Sequence, residues 1–227
     1  AIMLQRFGVP VLVHGLIEGY GRVTTGQVFR ELGIMPSPSV SHAQARLEEQ
    51  GLAFLPLSAL SPGAHNLLLL RSRLGVRNSA HSLVKMLDPF RGEGVLVTAA
   101  THPEFLDSMR NMLVTLDRRG ILLRGSEGEP FANPKRRPRL EYIHDARIEI
   151  LFEAEHDSLR TLPHLPEAAD APSTAAWIRR VLAQQVPLPK PIANQLACCL
   201  FASGYADDLH RAKAIVAVEG NGHAAAA

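Results

Sequence analysis

Residues 95–123 read VLVTAATHPEFLDSMRNMLVTLDRRGILL, and this stretch decides the fold. Residues 95–99 form a short apolar run of the kind that makes a buried strand. Thr101 is placed to cap a helix with Pro103 in its first turn. Phe105, Leu106, Met109, Met112, Leu113 and Leu116 then recur at helical spacing, so one face of that helix is apolar. Gly120 is the expected stop, and Ile121 to Leu123 begin the next strand. Strand, helix, glycine, strand within about thirty residues is a βαβ unit. It implies parallel strands, a right-handed crossover and a sheet covered on both faces.

Working outward, residues 140–143 and 148–152 read as two more strands, antiparallel and near a sheet edge. Residues 163–172 are a Pro-rich loop, and residues 174–185, 191–203 and 206–218 are helical segments with apolar faces. Toward the N-terminus, residues 9–13 are a β-branched run ended by His14-Gly15. Thr24 or Thr25 caps a helix whose Val28, Phe29 and Leu32 share a face, with Gly33 as its stop. A helix over 42–50 ends at Gly51, and residues 52–57 form a further strand. No internal repeat is visible. The expected architecture is α/β, with a mixed, mostly parallel central sheet and helices on both faces.

The chain has 227 residues, 46% of them hydrophobic, enough for a sizeable core. Its formal net charge of +2 gives no global field that selects a partner. The charge is uneven, however. Arg71, Arg73, Arg77, Lys85 and Arg91 face a single acid, Asp88, across residues 71–91, and Lys135, Arg136, Arg137 and Arg139 crowd into five residues. Asp145, Glu149, Glu153, Glu155 and Asp157 then reverse the balance. The only cysteines, Cys198 and Cys199, are neighbours. Adjacent helical residues point about 100° apart and make no unstrained disulfide, and no metal-ligand spacing exists. A reducing, cytoplasmic compartment is the expectation. No apolar run reaches the roughly 20 residues of a membrane span, so no membrane partner is expected. The opening Ala1, inside an apolar stretch, reads as the start of a truncated chain, which would leave Ile2, Met3, Leu4 and Phe7 exposed as a patch. Residues 1–219 are read as one α/β domain, and residues 220–227, rich in Gly, Asn and Ala, as a disordered tail.

Several motifs occur together in one order. They are Val13-His14-Gly15, the segment LGVRNSAH at 74–81, His102-Pro103-Glu104, the segment GSEGEPFANP at 125–134, and Ala197-Cys198-Cys199-Leu200. In this order they resemble the anthranilate phosphoribosyltransferase superfamily, glycosyl transferase family 3, and in wording its YbiB-type members. The resemblance implies an N-terminal helical domain and first strand ahead of residue 1, and a homodimer made through them. It also implies, in the enzymes, a glycine-rich pyrophosphate cradle, a divalent metal and groups that orient the amine. Several of those groups are changed here. Leu16 stands where the enzymes carry an amide, Val13 where they carry lysine, Gln27 at a carboxylate position, and Pro130-Phe131 at the metal-binding carboxylates, with Glu127 and Glu129 nearby. Ser61-Pro62 replaces a His-Pro beside the anthranilate site, whereas Arg77 is retained.

The resemblance to the YbiB-type members implies non-sequence-specific binding of DNA or RNA through a basic groove on a phosphoribosyltransferase-like scaffold, and with the enzyme groups changed the expectation is no catalytic residue, no metal and no cofactor. Phosphates would be neutralised by Arg71, Arg73, Arg77, Lys85, Lys135, Arg136, Arg137 and Arg139. The rival is a pentosyltransferase of the tryptophan-biosynthesis type, which would take Mg²⁺. A third reading is a small-ligand sensor using a remnant pocket at His14, Gly15, Arg77 and Asn78. Plainer readings stand beside these: His14-Gly15 as a strand-ending turn, Asn78, Ser79 and His81 as capping groups, and residues 135–139 as a solvated basic loop. Trp177 is then a core residue, and Cys198 and Cys199 are small helix-packing side chains.

Overall fold

A computed structural model describes residues 1–19, 21–90, 94–126, 129–157, 165–166 and 168–220. The chain divides into two compact units, Ala1–Val84 with His164–Val186, and Lys85–Pro163 with Pro187–Ala227.

In the first unit β1 (Val11–Gly15) and β2 (Leu52–Pro56) pair in parallel, Val11 opposite Leu52 and Gly15 opposite Pro56. The expected first strand is thus two residues late, and His14-Gly15 belongs to it. Between them run α2 (Thr25–Glu31) and α3 (Val40–Gln50). Thr24 caps α2 reciprocally: its Oγ1 accepts from Gln27 N at 3.2 Å, and Gln27 Oε1 accepts from Thr24 N at 2.9 Å. Gly33 and Gly51 end the two helices at φ +82° and +70°, where a Cβ would be strained. Successive residues of β2 face opposite ways. Leu52 and Phe54 pack with Phe29 of α2, and Ala53 and Leu55 with Ala43 and Leu47 of α3. α1 (Ile2–Arg6) joins the Phe29 cluster through Ile2, so Ile2, Met3, Leu4 and Phe7 are half-buried and not the exposed patch expected. α9 (Ala171–Leu182) packs on α2 and carries an Asp170 cap that accepts from Ser173 N at 2.7 Å.

Residues 57–83 form four short helices: α4 (Leu57–Leu60), α5 (Pro62–Leu69), α6 (Arg71–Leu74) and α7 (Ala80–Leu83). Periodicity needs a window of about 11–18 residues to show itself, and none of these helices is that long.

The second unit is a four-stranded sheet, ordered β3 (Leu96–Ala100), β4 (Gly120–Arg124), β5 (Leu140–His144), β6 (Arg147–Phe152). β3 and β4 are parallel, and the β4–β5 and β5–β6 pairs are antiparallel. The strands are thus shared between two sheets, and the α/β expectation with helices on both faces holds. α8 (Pro103–Thr115) covers one face, packing Met109 and Leu113 on Ala100, Leu122 and Ile143. α10 (Lys190–Ala202) covers the other, packing Cys198 and Ala202 on Ala99, Ile121, Leu123, Leu140 and Tyr142. α11 (Leu209–Gly220) lies against α10.

Two helix ends differ from expectation. His102, not Thr101, is the N-cap of α8, without a side-chain cap bond, and Pro103 opens the first turn, where its missing N–H costs nothing. α8 stops at Thr115 and the chain turns at Asp117 (φ 49°), so Gly120 is not the stop but opens β4. A Cβ on Gly120 would lie 3.0 Å from Leu96 O and 3.2 Å from Leu113. The expected tail, 220–227, lies outside the described residues after Gly220, as do parts of the Pro-rich loop.

Candidate anion-binding cleft

The feature that collects polar chemistry is a cleft of about 800 Å³ in the second unit, at the carboxyl end of β4. In open α/β sheets, ligands bind outside the carboxyl ends of parallel strands. Thr101 follows β3, Arg124 ends β4 with Gly125-Ser126 after it, and all four line the cleft. The other wall is the loop 131–139 and the chain leaving β6.

Strand parity explains its charge. Leu122 and Ile143 face α8, so Arg124 and Glu141, each two residues away, face α8 as well. Leu123 opposite Leu140 is the last β4–β5 pair, and Arg124 and Arg139 are the next residues beyond it. Two cations side by side at the end of a ladder cost stability unless an anion offsets them. Glu141, only 4% exposed, supplies part of that offset. Its Oε2 accepts from Arg110 Nε of α8 at 2.7 Å and its Oε1 from Nη2 at 3.0 Å, a two-pronged pair. Glu141 and Asp107 raise the Arg110 pKa, holding the guanidinium charged.

The basic run is not uniform. Arg137 Nη1 lies 3.3 Å from Glu155 Oε1, its Nε donates to Glu153 O at 3.2 Å, and its guanidinium sits 4.9 Å over the Phe152 ring. Arg139 Nε donates to Glu153 Oε2 at 3.1 Å and its Nη1 is 3.8 Å from Glu141. Arg124 and Arg136, by contrast, are exposed, and among the described residues no acid or carbonyl takes their guanidinium groups. Lys135 is exposed beside the cleft without lining it. The hydroxyl of Ser126 is buried and has no hydrogen-bond partner among the described residues.

Gly125 has no room for a side chain. A Cβ there would meet Glu129 O at 2.4 Å and Ala99 Cβ at 2.8 Å. The loop that follows is fixed from behind by Gln195 of α10, whose Oε1 accepts from Ala132 N and whose Nε2 donates to Pro130 O, both at 2.7 Å.

The remaining expected residues lie elsewhere. Lys85 Nζ donates to Ala99 O at 2.9 Å, while Thr98 Oγ1 donates to Lys85 O at 2.9 Å, so Lys85 ties its segment to β3. Arg71 and Arg73 are on α6 and Arg77 follows it, all in the first unit. His14 and Gly15 end β1. Asn78 makes structural bonds just ahead of α7: its Nδ2 donates to Leu67 O at 2.8 Å and its Oδ1 accepts from Ala80 N at 3.1 Å. Arg124 and Ser126 stand in the stretch 124–129 that carries the resemblance but were not among the expected binding residues, and Arg110 was not singled out. The position of Arg124 directly after an apolar run was the available signal.

No three His, Cys, Asp or Glu side chains converge among the described residues. Glu127 lies outside them. Cys198 and Cys199 are buried and free of disulfide, and burial pushes the Cys199 thiol up to about 11 and Cys198 higher still. Among the described residues no helix is long and apolar enough to cross a membrane.

No protein-family model matches the chain. It is 39% identical to YbiB of Escherichia coli over 207 residues, covering 91% of this chain and 64% of YbiB. It is 31% identical to anthranilate phosphoribosyltransferase of Synechococcus elongatus over 129 residues, 56% of this chain and 37% of that enzyme. The chain thus spans less than two thirds of the length of either relative. Among solved structures, anthranilate phosphoribosyltransferase from Thermus thermophilus superposes with a TM-score of 0.78 at 21% identity, over 97% of this chain and 67% of that one. The Saccharomyces cerevisiae enzyme in complex with PRPP and Mg gives 0.67 at 13% identity, over 96% and 63%. The fold is that of the anthranilate phosphoribosyltransferases.

Proposed function

We propose that the cleft holds phosphate groups, and that the protein uses a phosphoribosyltransferase-type fold to bind the sugar–phosphate backbone of DNA or RNA without reading its sequence. The observation that carries this is the meeting of Arg124 and Arg136, unpartnered among the described residues, with Arg110, Arg137 and Arg139 in one cleft. Arginine neutralises phosphate and releases counterions, and such contacts position a strand without specifying bases. A homodimer in a reducing cytoplasm belongs to the same proposal, its test being the mass of the native protein in solution.

The second reading is pentosyl transfer. The similarity to anthranilate phosphoribosyltransferases supports it more directly than it supports nucleic-acid binding. Against it stand Leu16 and Pro130-Phe131, which offer no oxygen ligand or amide where the resemblance puts them. Two measurements separate the readings. Anthranilate consumption with phosphoribosyl pyrophosphate and Mg²⁺ is expected to be absent, and turnover of about 1 s⁻¹, within the usual enzyme range, would establish the second reading. Binding to mixed-sequence oligonucleotides is expected at low salt, and Arg124→Ala with Arg136→Ala should flatten the slope of log K against log [salt] by about 1.4 to 1.8.

A further inference from the structure

The cleft holds more than cations, and resting on the nucleic-acid reading we infer that it takes a single strand, with one unstacked base lying on Phe131. Phe131 lines the cleft and is 40% exposed, whereas the neighbouring Ala132 is wholly buried. A large aromatic is left in solvent here although the backbone beside it is held. Gln195 holds the backbone on both sides of Phe131, and the absence of a side chain at Gly125 lets the chain fold closely on Glu129. The ring is therefore presented at little further cost in order.

What surrounds it suits a nucleotide. Arg124 and Arg136 line the same cleft as the ring, and their guanidinium groups, unpartnered among the described residues, suit the phosphates flanking an unstacked base. Ser126 contributes a buried hydroxyl with no partner among the described residues, a donor for a phosphate oxygen. Asn133 lines the wall with its Oδ1 already accepting from Lys135 N at 2.9 Å, leaving its amide donor for a base edge. A concave space of about 800 Å³ admits a base and its sugar. A duplex keeps its bases stacked inside and offers a convex backbone, which reaches the rim but not the ring. Aromatic platforms beside a cationic track are how single strands are held without sequence preference.

The test compares one mixed-sequence single-stranded oligonucleotide with its duplex, by fluorescence anisotropy at fixed salt, on the whole protein. The single strand is expected to bind at least about tenfold more tightly. Phe131→Ala should weaken it by about tenfold, the loss of one stacked base, and leave the salt slope unchanged, because no charge is removed. Phe131→Tyr should restore binding and Phe131→Leu should not, which separates stacking from mere bulk. A duplex bound as tightly as the strand would overturn the inference while keeping nucleic acid as partner. So would a Phe131→Ala loss equal in both, or displacement of the strand by a micromolar free mononucleotide. No affinity for any oligonucleotide would instead overturn the reading on which the inference rests. Thermal melting of each variant guards against unfolding, which the exposure of Phe131 makes a small effect.

Discussion

The two faces of the four-stranded sheet are built from the same strands and end in different chemistry. The face against α10 has an apolar core, where Ala99, Ile121, Leu123, Leu140 and the ring of Tyr142 meet Cys198 and Ala202. The face against α8 begins the same way, with Ala100, Leu122 and Ile143 on Met109 and Leu113, and then turns ionic at Arg110, Glu141, Arg124 and Arg139. One face stabilises by area removed from water. The other gives up part of that area to charges whose mutual repulsion is only partly offset, and that incompleteness is what a phosphate would complete.

The comparison breaks most visibly on the apolar face. Ile121 is fully buried, so Ile121→Ala should destabilise the protein by about 3 kcal/mol through lost transfer energy and a residual cavity. Chemical denaturation measures it, and the salt slope for oligonucleotides should not move. On the ionic face, Glu141→Leu should cost less, about 2 kcal/mol. A buried partner is lost, but Arg110 keeps 23% of its side chain exposed and recovers water. If Glu141→Leu proved the more damaging of the two, the ionic face would be the structural one.

The buried thiols sharpen the same contrast by pH. Cys199 has a folded pKa of about 11 against 9.0 for a free thiol, because burial disfavours the thiolate. The unfolded chain then releases protons between those values while the folded one retains them. The stability from this group is complete below pH 9 and is lost as pH climbs toward 11. A denaturation midpoint that falls across this window, and falls less in Cys199→Ala, is the expected result. Ellman's reagent at pH 8 should titrate neither thiol until the protein unfolds.

Much of this frame was readable in advance. The spacing of Phe105, Leu106, Met109, Met112 and Leu113 gave α8, and the capping pattern at Thr24 gave α2. Sequence could not separate the faces, because β4 is apolar at Ile121, Leu122 and Leu123 alike, and only the partners show that Leu122 looks the other way. Glu141 did carry a signal, a lone acid inside the strand LEYIH, but its role depends on Arg110, 31 residues away. The basic run was visible as charge, yet Arg137 and Arg139 lost their freedom to Glu153 and Glu155, which arrive only when β6 folds back on β5. Asn78, attractive beside Arg77, has its side-chain amide engaged by Leu67 and Ala80.

The smallest effect on stability is expected at those acids. Glu153 and Arg139 are both largely exposed, and such pairs contribute about 0–1 kcal/mol. Glu153→Gln should therefore leave the melting temperature nearly unchanged. Its effect should appear in binding instead. The substituted amide would remain a hydrogen-bond acceptor but hold no charge, so Arg139, still 3.8 Å from Glu141, would be half released toward the cleft. Affinity for a single-stranded oligonucleotide should rise modestly, and the salt slope should steepen by up to about 0.7, the increment for one further phosphate on a single strand. Glu155→Gln is the harder case, since Glu155 also accepts from Arg137 N at 3.1 Å and so shapes the loop. An unchanged slope in Glu153→Gln would mean that Arg139 serves Glu141 alone, and the cleft's working cations would reduce to Arg124 and Arg136.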